Sequence, residues 1–113
     1  MSDQINIWLD DQRPAPDGFI HVQTVGECWE LIVTHKINVL SLDNDLGIKG
    51  LENEGREIIK RLVTAKEADQ LDYWPKKLTI QSSNTVALNY MAWMLDRYSP
   101  LHPIGCDLRS WTK

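Results

Sequence analysis

Apolar residues in this chain come in short bursts, and the spacing within each burst predicts an element. Ile5 to Leu9 ("INIWL") is a β-branched and aromatic run that reads as a strand. The next stretch, "DDQRPAPDG", holds two prolines and a glycine and continues neither helix nor sheet. "HVQTV" predicts a brief extended piece. Thr24, with Glu27 three residues on, forms a capping-box pattern, so a helix is expected to begin there. Its apolar positions Cys28, Leu31 and Ile32 keep helical spacing, and the pattern ends near Lys36.

"NVLSLD" reads as a second core strand and "LGIKGLENEG" as a polar loop. Ile58, Ile59, Leu62 and Val63 then repeat at i, i+1, i+4 and i+5, which places one buried stripe on a second helix. "AKEADQLDYWPKK" is the end of that helix and a connection, and "KLTIQS" a third core strand. Asn84 is placed to cap a third helix with Ala87, Met91, Met94 and Leu95 on one face, and Pro100 and Pro103 stop it. A short last strand is expected around "PIGC". Strands separated by helices imply crossover units and a mostly parallel sheet.

Composition narrows the function classes. With 113 residues, 42% of them apolar, residues 1–113 form a single domain with a real core. The formal charge of −4 argues against binding duplex nucleic acid, which needs a basic face. The acids are concentrated early: residues 1–54 hold 10 acids and 3 bases, and residues 55–113 hold 6 and 9. Cys28 and Cys106 lie far apart and no secretory leader pattern opens the chain, so a cytoplasmic protein without disulfides is expected. No apolar run approaches the roughly 20 residues a membrane span requires. Phosphate-binding and dinucleotide-binding glycine motifs do not occur.

Ligands of parallel sheets gather at the carboxyl ends of strands. Asp10 and Asp11 follow the first strand, Asp43 and Asp45 the second, and Ser82, Ser83 and Asn84 the third. A lone strand-end aspartate usually just begins a turn. Two pairs at matching ends would repel unless protonated or bridged by a cation, and Mg²⁺ or Mn²⁺ takes carboxylate oxygens. Asp10, Asp11 and Asp43 are therefore the expected metal ligands. Ser82, Ser83 and Asn84 suit a phosphate at a helix start, although Asn84 alone is equally an N-cap. Arg13 either balances a phosphate charge or pairs with Asp17. His21, His35 and His102 lack zinc-ligand spacing and read as surface or packing residues. Of five tryptophans, Trp29 and Trp93 read as core or partly buried cover. Trp8 reads as core or as the border of a nucleobase pocket.

"WLDDQRPAPDGF", "SLDNDLG", the glycine of "EGREII" and "SSNTVALNYM" together resemble the cyclic-phosphate processing receiver-like domain family, over roughly residues 7 to 95. The resemblance implies an α/β fold: a small three-layer receiver-like domain with a mostly parallel sheet of about four to five strands and about three helices. It also implies a metal-dependent acidic pocket and hydrolysis of a cyclic phosphate on a small ligand or an RNA end. Asp10 and Asp11 match the family's first acidic pair, Asp43 and Asp45 the second, Arg13 its loop arginine, and Ser82 and Asn84 its polar helix start. Asn44 and Gln81 stand where the family pattern tends to have histidine, so two proton-shuttling imidazoles are lost.

Two function classes remain. In a metal-dependent cyclic phosphodiesterase, Asp43, Asp45 and Arg13 are the catalytic candidates. A non-catalytic module would bind a phosphate ligand or a protein partner in the same pocket, and the two amides suit it. A phosphoaccepting receiver with Asp43 as acceptor fits less well. Receivers pair that aspartate with a lysine after a late strand, and here only Arg109 and Lys113 follow "PIGC".

Overall fold

The computed structural model describes residues 4–44, 54–82, 84–105 and 108–113. In chain order the elements are β1 (Gln4–Leu9), β2 (Phe19–Val22), α1 (Val25–Thr34), β3 (Lys36–Leu42) and α2 (Arg56–Glu67). They continue with β4 (Lys77–Ile80), α3 (Thr85–Tyr98), β5 (His102–Pro103) and β6 (Ser110–Thr112). The strands form one sheet in the order β2-β1-β3-β4-β6-β5. β2, β1, β3 and β4 run parallel, whereas β6 is antiparallel to both β4 and β5.

Strand alternation decides what is buried. Ile7, Leu9, Leu40, Leu42, Leu78 and Ile80 point to one face and are at most 1% exposed. Trp111 of β6, opposite Leu78, joins them. The helices bury matching stripes: Cys28 and Ile32 of α1; Ile58, Ile59 and Leu62 of α2; Ala87, Met91 and Leu95 of α3. α1 touches α2 and α2 touches α3, so all three cover the same face.

The α/β class and the mostly parallel sheet stand, but the three-layer expectation is corrected to one sheet layer and one helical layer. Pro14 and Pro16 keep the β1–β2 connection from forming a helix. The chain after α3 returns as strands. Asn6, Trp8 and Thr79, on the sheet face away from the helices, are only partly buried. The last strand also differs from expectation. His102–Pro103 pairs with Thr112 and Trp111, and Gly105 turns the chain at φ 79°. Ser110–Thr112 buries a single residue, too short a signal for periodicity to find.

Two caps follow the sequence pattern. Glu27 N–H donates to Thr24 Oγ1 at 3.2 Å, and Gln23 N–H donates back to the Glu27 carboxylate at 3.4 Å. Thr24→Ala is expected to cost about 1 kcal/mol in urea unfolding, the usual value of an N-cap. At α3, Ala87 N–H donates to Asn84 Oδ1 at 3.1 Å. Of the tryptophans, Trp29 packs on the core, whereas Trp93 is 53% exposed and meets Tyr98 and Arg97 on the outer side of α3. Among the described residues no helix is long and apolar enough to cross a membrane.

Candidate metal centre

The parallel ladder carries on one residue past each strand and so levels the carboxyl ends. Asp43 N–H donates to Leu9 O at 2.9 Å, and Gln81 N–H to Leu42 O at 2.7 Å. Asp10, Asp43 and Gln81 thus stand side by side. Residues separated by up to 71 positions meet at one edge, as strand-end placement predicts.

Asp10 is 1% exposed. Its Oδ1 accepts from the backbone N–H groups of Gln12 at 2.9 Å and Arg13 at 3.1 Å, an Asx turn that starts the proline-bearing loop. Its Oδ2 is buried and accepts no hydrogen bond, and the same holds for Asp11 Oδ1. Asp10, Asp11 and Asp43 each offer one ligand oxygen, all within 4.8 Å of one another.

Buried oxygens left without a donor are costly, and crowding three carboxylates adds mutual repulsion. A divalent cation with oxygen ligands answers both at once, so these residues fit Mg²⁺ or Mn²⁺. Among the described residues no second group of this kind occurs.

Arg13 turns toward Asp10 rather than Asp17. Its Nε lies 3.8 Å from Asp10 Oδ2, and its Nη1 donates to Gln81 Oε1 at 3.4 Å. Its side chain is 63% exposed, which leaves the guanidinium at the rim. Gln81 in turn donates through Nε2 to Ser41 Oγ, tying β4 to β3. Trp8 packs edge-on against Phe19 and donates from Nε1 to Arg13 O at 3.2 Å, so its indole holds the loop. His21 Nε2 lies 2.6 Å from the Asp10 carbonyl oxygen; a carbonyl only accepts, so that nitrogen carries the hydrogen.

Asn44, fully buried, caps α2 from a distance. Its Oδ1 accepts from Arg56 N–H at 3.2 Å, its carbonyl accepts from Gly55 N–H at 3.1 Å, and its Nδ2 donates to Glu54. The start of α2 is thereby bolted to the end of β3. Ser82 and Asn84 also have structural work: Asn84 N–H donates to Ser82 Oγ at 3.1 Å beside the Asn84 cap. Asp45, Ser83 and Cys106 lie outside the described residues. Burial pushes the Cys28 thiol up to about 12, which removes it as a nucleophile near neutral pH.

Sequence pattern alone did not single out the Gln81 bridge or Arg109, whose Nη2 donates to Ser82 O at 3.3 Å. The signal for Arg109 lies in the antiparallel β6, which delivers its first residues to the acidic edge. A separate hollow of about 530 Å³, lined by His35, Lys36, Asp69 and Asp72, opens near the amino end of β3. It is remote from the three aspartates.

Residues 5–97 match the model of the family described as Cyclic-phosphate processing Receiver domain. The chain belongs to this family. No curated protein and no solved structure matches it. As a cyclic-phosphate processing receiver domain, it carries the acidic trio within the matched span, whereas Arg109 and β6 lie beyond it.

Proposed function

We propose that this receiver domain is a divalent-metal-dependent hydrolase of a cyclic phosphate, carried on a nucleotide or an RNA end. The supporting observation is the trio of carboxylates with two buried, hydrogen-bond-free oxygens, in a family whose description is cyclic-phosphate processing. Asp10, Asp11 and Asp43 would hold the ion. When bound, Mg²⁺ or Mn²⁺ polarises a phosphate oxygen and lowers the pKa of water.

The chain's own residues supply the rest of the reading. The Asx turn fixes Asp10, and Arg13 stands at the rim to orient the phosphate. Backbone N–H groups of the capped α3 start favour negative charge there. In the reaction, the oxygen of water forms a new bond to phosphorus and one ring P–O bond breaks. The freed sugar oxygen gains a proton as the water loses one, leaving a phosphate monoester. Asp45, by its sequence position, is the proposed proton carrier. The test is release of a 2′- or 3′-monophosphate from a 2′,3′-cyclic nucleotide with Mn²⁺. Activity is expected in the parent and only background in Asp43→Asn; equal rates in both would refute the mechanism.

One observation favours a second reading, a non-catalytic phosphate-binding module. The Asn44 and Gln81 amides, where the family pattern tends to have imidazoles, are engaged in structural hydrogen bonds. Calorimetric binding of the cyclic nucleotide with full recovery of unchanged ligand would support it over hydrolysis.

A further inference from the structure

We propose that the open face of the sheet is a docking surface for single-stranded RNA, one that leads the 3′ end of the strand to the acidic edge. The inference rests on the reading of that edge as a cyclic-phosphate site, and names an RNA end rather than a free nucleotide as its substrate.

Strand register places the surface. The three helices pack on the face that carries Ile7, Leu40 and Leu78. On the other face, pairing aligns His21, Trp8, Ser41, Thr79 and Ser110 in one row across β2, β1, β3, β4 and β6. One pleat further from the acidic edge, a second row runs from Phe19 through Asn6, Val39 and Lys77 to Thr112. Asp10, Asp43 and Gln81 lie two residues beyond Trp8, Ser41 and Thr79, so alternation turns them to the same side. The Gln81 amide agrees, since it reaches back to Ser41 Oγ. The acidic edge is thus the end row of the open face, about 7 Å ahead of the Trp8 row, a step that a nucleotide spans from phosphate to base.

Chemistry names the occupant. Trp8 and Phe19 meet edge to face at 5.9 Å and are both only partly buried, so ring surface stays open to stacking. Hydroxyls, an amide and the exposed Lys77 stand around them. Neither row contains an aspartate or a glutamate, although the chain carries a net charge of −4. The acids are kept off this face, which removes the repulsion an anionic strand would meet elsewhere. An aromatic, hydroxyl-bearing sheet face suits a single strand, whose unpaired bases stack on the rings. Six strands at a spacing of roughly 4.8 Å make the face about 24 Å wide, more than one nucleotide covers. A 2′,3′-cyclic phosphate closes through the 2′ oxygen, so the strand is RNA and not DNA.

The test uses the full chain and a fluorescein-labelled single-stranded oligouridine of about eight nucleotides ending in a 3′-phosphate, followed by anisotropy with and without Mn²⁺. The parent is expected to bind it at least about tenfold more tightly than 3′-uridine monophosphate, measured by competition. Phe19→Ala should weaken RNA binding by about tenfold, the usual weight of one stacked base. Lys77→Gln should lower the slope of log affinity against log salt by about 0.7, the loss of one phosphate contact on a single strand. Mn²⁺ affinity should stay within about twofold of the parent in both variants, because the aspartates are untouched. Should Phe19→Ala fail to fold, the exposed Lys77→Gln carries the test through its salt slope. RNA bound no more tightly than the mononucleotide, or folded variants that match the parent's RNA affinity and salt slope, would overturn the docking surface and leave the metal site standing. A parent that binds RNA with these losses and yet binds no Mn²⁺ would support the surface and refute the metal reading alone.

Discussion

Alanine at position 55 is expected to destabilise the domain by more than about 3 kcal/mol, beyond the common range for an overpacked site. Gly55 has ordinary right-handed helical angles, φ −57° and ψ −32°, so conformational freedom is not what it supplies. The requirement is space. A Cβ there would fall 2.8 Å from the carbonyl carbon of Asp43, closer still to its oxygen, and 3.1 Å from Asn44 Cα. All of these are backbone atoms, so no rotamer change relieves the clash. The start of α2 must move away from the end of β3, breaking the Gly55 N–H to Asn44 O bond and shifting Asp43. Urea unfolding measures the loss, and a cost below about 1 kcal/mol would show that the helix retreats freely.

Asp11→Asn is expected to change stability in opposite directions with and without metal. Without metal, the substitution removes one of three crowded negative charges and loses no hydrogen bond at the buried Oδ1. The melting temperature should rise, by an amount corresponding to about 1 kcal/mol of relieved repulsion. With Mn²⁺ the parent should gain stability by mass action, and the variant should gain little. A surface carboxylate with no role in a site would show neither change. A variant that keeps the parent's full Mn²⁺-induced shift would exclude Asp11 as a ligand.

The parts of the fold legible in sequence are those where burial imposes a period. Ile5–Leu9, "NVLSLD" and "KLTIQS" each put alternate side chains into the core, and the stripe of Ile58, Ile59, Leu62 and Val63 marks α2. The meeting of Asp10, Asp11 and Asp43 follows from topology, because parallel strands deliver their carboxyl ends to one edge. What stayed hidden depends on contacts between distant segments. That Gly55 faces the Asp43 carbonyl, and that Asn44 caps a helix twelve residues on, have no local pattern. Trp93 is different: it lies off the helical face shared by Ala87, Met91, Met94 and Leu95 and turns outward against Arg97, so spacing along α3 located it where apolar character alone did not. The single helical layer was legible in part, since Ile7 and Leu9 flanking Trp8 after Asn6, Leu40 and Leu42 flanking Ser41, and Leu78 and Ile80 flanking Thr79 alternate as strands covered on one face do.

The central claim is that these three carboxylates share a divalent cation, and a crystal soaked in Mn²⁺ tests it most directly. Anomalous scattering is predicted to show one peak in contact with the carboxylate oxygens of Asp10, Asp11 and Asp43, absent from crystals of Asp43→Asn. A soaked parent crystal with no peak at that edge, or with manganese bound only elsewhere, would contradict it.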